Sequence, residues 1–65
     1  MDIEEIKKKL EYIKTIAKDD EGAHGEEDNL WKQVLEAIAN GAEEAPRLAA
    51  EALKTRNINF RRWCA

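Results

Sequence analysis

The sequence predicts an all-α fold, a small three-helix domain closed by a C-terminal docking segment. Two observations predict it. Apolar residues recur at helical spacing in three separate stretches, and each stretch carries a start or stop signal of its own. The length of 65 residues allows one domain, spanning 1–65.

The first predicted helix covers residues 2–18. Ile3, Ile6, Leu10, Ile13 and Ala17 are spaced 3, 4, 3, 4, the a/d pattern of a heptad seam. Ile16 widens this stripe and Tyr12 flanks it. Asp2 is placed to cap the N-terminus, and Glu4 and Glu5 in the first turn complement the helix dipole. Lys14 and Lys18 supply the opposite sign in the last turn.

Residues 19–29 are polar and contain Gly22 and Gly25. They read either as a connection or as a first helical turn weakened by glycine. The second predicted helix covers 27–40. Leu30, Trp31, Val34, Leu35 and Ile38 form a broad amphipathic stripe, and Trp31 is expected to anchor the core. Gly41 then suits the left-handed position that follows a helix end.

The third predicted helix covers 46–55. Pro46 fits a first helical position, where its missing N–H costs nothing. Leu48, Ala49, Ala52 and Leu53 form the inner face. Beyond residue 55 the helical period is lost. Ile58, Phe60 and Trp63 then stand as apolar pegs, either docked on the bundle or offered to a partner.

A chain this short buries only about 60% of the surface its unfolded form exposes, so it needs a staple. Cys64 is the only cysteine, which excludes an internal disulfide. Cys64 and His24 are too few soft or imidazole ligands for a zinc site. No metal or cofactor is expected. Helix packing and self-association remain as staples.

Residues 1–45 carry 6 Lys against 13 Asp or Glu, a net of −7, while residues 46–65 carry 5 Lys or Arg against one Glu, a net of +4. The acidic majority argues against general nucleic-acid binding. No apolar run approaches the roughly 20 residues of a membrane span. The opening Met1-Asp2-Ile3-Glu4-Glu5 lacks the basic and apolar regions of a signal peptide. With a single unpaired thiol, the expected location is the cytoplasm.

Several local patterns run through the chain: Asp19-Asp20-Glu21, Ala23-His24, Glu27-Asp28, the helix Val34-Leu35-x-x-Ile38-Ala39-x-Gly41, Ala52-Leu53-Lys54-Thr55, and the ending Ile58-x-Phe60-x-Arg62-Trp63-Cys64-Ala65. Together they resemble small uncharacterised proteins encoded by bacteria and their phages. The likeness covers most of the chain, and its ending is the most specific part. Gly25 departs from it, standing where a better helix former is expected. The resemblance implies a setting and no mechanism.

Three clusters bear on chemistry. His24, Glu27 and Asp28 have i, i+3 and i, i+4 spacing. A transition-metal site would need more nitrogen or sulfur ligands, so they read as a surface ion pair near a helix start. The acidic runs 19–21 and 26–28 lack the ligand spacing of a calcium loop and read as solvated. Cys64 lies near Arg61 and Arg62 but has no histidine-type partner nearby in sequence that would make it a nucleophile, and reads as idle or packed. No motif pairs a nucleophile with a base, and the chain is not expected to be an enzyme.

The functional reading is therefore an interaction module that binds another protein. In a mobile-element setting it would be a phage or mobile-element regulator or inhibitor of a host or defence protein. Arg56, Arg61, Arg62 and Trp63 are the expected partner-binding residues, because Trp and Arg are enriched at interface hot spots. Ile3, Ile6, Leu10, Ile13 and Ala17 are the expected self-association seam of a homodimer, with coverage by helices 2 and 3 as the alternative. The second functional reading is a small nucleic-acid-associated regulator, since cations mixed with aromatics suit single strands.

Overall fold

A computed structural model describes residues 1–62. It consists of three helices, α1 (Ile3–Thr15), α2 (Asp20–Ala39) and α3 (Ala45–Ala52), followed by a 3-10 helix, Leu53–Asn57, and an extended segment. No strand occurs among the described residues. None of their helices is long and apolar enough to cross a membrane.

Helix α1 starts as predicted. The Glu5 amide donates to Asp2 Oδ1 at 2.9 Å, satisfying one of the orphan donors of the first turn. It ends three residues earlier than predicted. The Thr15 hydroxyl donates to the Tyr12 carbonyl at 2.6 Å, and the Ile16 amide is shared between the Tyr12 and Ile13 carbonyls. That tightening turns the chain, and Ala17 falls in the connection and not on the helix.

Helix α2 starts seven residues earlier than the 27–40 prediction. Asp19 caps it, accepting from the Gly22 amide at 3.1 Å, and Asp20 and Glu21 occupy the first turn. The buried positions Ala23, Glu27, Leu30 and Val34 make a 4, 3, 4 seam. The polar stretch is thus the helix itself, with a charged residue inside its seam. The end is a Schellman motif: Gly41 N–H donates to Ile38 O and Ala42 N–H to Ala37 O, with Gly41 at φ 90°. Helix α3 stops at Ala52, where the chain tightens into the 3-10 turn.

Helix α1 packs against α2 and α3, which also pack on each other. Ile3, Ile6, Leu10 and Ile13 are buried within the single chain, Ile6 at 0% and Ile13 at 1% exposure. The seam expected to join two copies is therefore the inner face of α1. Ala23, Leu30 and Val34 of α2, Leu48 and Ala52 of α3, and Ile58 and Phe60 complete the same core. A homodimer cannot form through residues already enclosed in this way.

The overall shape is a slab, with extents of 34 × 21 × 14 Å. In a slab this thin each helix has one covered side, so an apolar residue outside the inner stripe has nothing behind it.

Candidate functional site

The C-terminal segment closes the core through Arg62. Residues 58–60 run along the bundle and bury Ile58 and Phe60, as one of the two sequence readings expected. The Arg62 guanidinium then turns inward. Its Nε donates to both oxygens of Glu27, at 2.8 and 3.1 Å. Nη1 donates to the Phe60 carbonyl at 3.1 Å, and Nη2 to the carbonyls of Thr55 at 2.6 Å and Ile58 at 3.3 Å. The guanidinium also lies 3.9 Å from the centroid of the Phe60 ring, a cation–π distance.

This arrangement corrects the reading of Arg62 as a partner-binding residue, because each of its three guanidinium nitrogens already donates within the chain. Arg56 and Arg61 are exposed. The Arg61 amide donates to Asp20 Oδ1 at 3.0 Å, which ties the segment to the start of α2 and leaves the side chain outward. Trp63, the fourth expected partner-binding residue, and Cys64 lie outside the described residues.

Glu27 is 3% exposed and is the buried counter-charge of Arg62. Burial pushes its carboxyl up, but hydrogen bonds from Arg62 and Thr55 and the charges of Arg62 and His24 outweigh that and hold it below the usual carboxylate range. The cluster of His24, Glu27 and Asp28 is thus split in role. His24 Nε2, on a largely covered side chain, lies 3.5 Å from Oδ1 of the exposed Asp28, whereas Glu27 belongs to the interior. Ligand atoms of all three lie within 4.8 Å of one another, but both Glu27 oxygens already accept from Arg62.

Thr55 joins this network to the next. Its side chain is fully buried, and its hydroxyl accepts from Trp31 Nε1 at 3.1 Å while supporting Glu27. Trp31, expected as a core anchor, is half-buried and packs on the core from its edge.

Beyond Trp31 the surface becomes apolar. Leu35 is 65% exposed and Leu53 is 51% exposed. Their spacing places both on inner stripes, yet both face outward because the slab has no further layer. Between them runs a groove of about 170 Å³, floored by Val34 and Ala52 and walled by Trp31, Ile38 and Ala49. On the other side of Leu35, Asp28, Lys32 and Glu36 line the rim. Sequence reasoning missed this face, and its one available signal was that the α2 stripe is wider than one neighbouring helix covers.

No family model, curated protein or solved structure matches the chain. An apolar groove beside a charged rim can take up a partner's aliphatic side chains and pair with its charges.

Proposed function

We propose that the chain is a non-catalytic protein–protein interaction module whose contact surface is the α2–α3 face around Leu35 and Leu53. The observation that supports this is the pairing of two large, exposed aliphatic side chains with an apolar groove between them. Single exposed apolar residues are ordinary, but contiguous ones on a small protein mark contact surfaces. The surface resembles the centre of an interface in miniature: an aromatic edge at Trp31, aliphatic pegs, and charges at the border.

The resemblance to small proteins of bacteria and their phages supports a regulator or inhibitor of a host or defence protein, acting in the cytoplasm. The nucleic-acid reading is left with less to stand on. Arg62 is committed to Glu27, and Lys54 is bound by Glu51 at 3.0 Å, which leaves Arg56 and Arg61 exposed on that side.

Affinity capture from the cells that make the protein tests the reading, comparing wild type with Leu35→Glu/Leu53→Glu and with Arg56→Glu/Arg61→Glu. Proteins held by wild type and by the arginine variant, and lost from the leucine variant, are the expected result. Equal capture by wild type and the leucine variant overturns it.

A further inference from the structure

We infer that the α2–α3 face pairs with a second copy of itself, with the two α2 helices antiparallel. The inference rests on that face being a contact surface, and it names the second copy as the occupant that covers it until a captured protein displaces it. Two observations point to a second copy.

The first is the layout of charge. Lys32 and Glu36 are exposed, one turn apart, on the same edge of the face as Asp28. Among the described residues neither has an ion-pair partner. Their order along the helix, lysine before glutamate, is the poorer one for pairing within a helix. Across a two-fold axis they become complementary. An axis at right angles to α2, level with the midpoint of the two residues, sets Lys32 opposite Glu36 of the second copy, and Glu36 opposite its Lys32. Isologous contacts come in such reciprocal pairs. Asp28, already joined to His24, then faces the neutral Asn40 of the second copy.

The second is the layout of apolar surface. With the axis crossing α2, each edge of the face meets the same edge of its copy. The charged edge meets the charged edge, Leu35 packs beside its equivalent near the axis, and the grooves below Leu53 merge. An axis parallel to α2 would instead press Lys32 and Glu36 against the apolar Leu53 edge. Only the antiparallel arrangement matches polar with polar and apolar with apolar. A specific interface needs about 500 Å² from each copy, roughly a ninth of the chain's 4678 Å².

Sedimentation equilibrium of the purified full chain over a wide concentration range tests the inference. Wild type is expected to dimerise reversibly, and Leu35→Glu to be monomeric with unchanged circular dichroism. Lys32→Glu and Glu36→Lys are each expected to weaken dimerisation on the order of tenfold, since each loses both symmetric pairs. Mixing the two variants, or combining both changes in one chain, restores it. A monomeric wild type at millimolar concentration overturns the inference, as does a dimer indifferent to Leu35→Glu or to the charge changes. A monomer that still loses its captured protein on Leu35→Glu/Leu53→Glu overturns the second copy and leaves the contact surface standing. A monomer whose capture is unaffected removes both.

Discussion

Arg62 and Glu27 are 35 positions apart, yet one nitrogen of the arginine reaches both carboxylate oxygens of a side chain that is 3% exposed. The remaining guanidinium nitrogens bind backbone carbonyls of the segment itself. The pair therefore neutralises a buried charge and fixes the path of residues 55–62 in one geometry.

Arg62→Ala is expected to destabilise the fold by about 2–4 kcal/mol, because it strands Glu27 and removes donors from three carbonyls. Glu27→Gln is expected to cost less, since a neutral amide tolerates burial better than an unpaired charge. The double variant should cost less than the sum of the two. Urea unfolding of all four proteins measures the coupling, and strict additivity would show that the pair contributes nothing as a unit.

Acid should weaken the fold through the same carboxyl. Glu27 titrates below its unfolded value, so its contribution is complete above about pH 4.3 and is lost as the pH falls through the depressed folded value. The midpoint of urea unfolding should drop as the pH falls below about 4.3 in wild type, and less steeply in Glu27→Gln. Parallel pH profiles would contradict this.

Two glycines should respond in opposite directions. A Cβ on Gly25 meets nothing within 4 Å, and the residue sits inside α2. Gly25→Ala should therefore stabilise by about 1 kcal/mol, raising the melting temperature by about 4–8 °C. Gly41 has φ 90°, and Gly41→Ala should destabilise by about 1 kcal/mol despite open space around it. Thermal melts followed by circular dichroism decide both.

Glutamate at Ile6 and Ile13 should unfold the chain outright. Both are enclosed by α2, α3 and the C-terminal segment, and two buried charges without partners exceed the stability of a domain this size. Folded monomers from Ile6→Glu/Ile13→Glu would place the α1 seam at a chain-to-chain contact instead.

The fold was legible where the periodic signal was undiluted. The α1 stripe from Ile3 to Ile13, the Asp2 cap and the Gly41 stop stand in the structure where spacing put them, whereas Ala17 lies past the helix end. The start of α2 was hidden because its seam runs through Ala23 and Glu27, one small and one charged, and the charge is explained only by an arginine 35 residues later. Leu35 and Leu53 were assigned inward because periodicity shows which residues share a stripe and not how many layers cover it. The basic cluster looked uniform in sequence, but Arg62 differs from Arg56 and Arg61 by facing a buried acceptor, a property of tertiary geometry alone.

The Arg62 clasp also shapes the kinetics of the chain. Its anchor points, Glu27 and, through Arg61, Asp20, exist in place only once α2 has docked on α1 and α3. A contact whose acceptors are brought together only by the docked helices is expected to form after they have met, on the native side of the folding barrier. Arg62→Ala should leave the refolding rate nearly unchanged and speed unfolding. The lifetime of the folded molecule thus depends on this last-closing contact, while the speed of reaching it is set by the earlier meeting of the three helices.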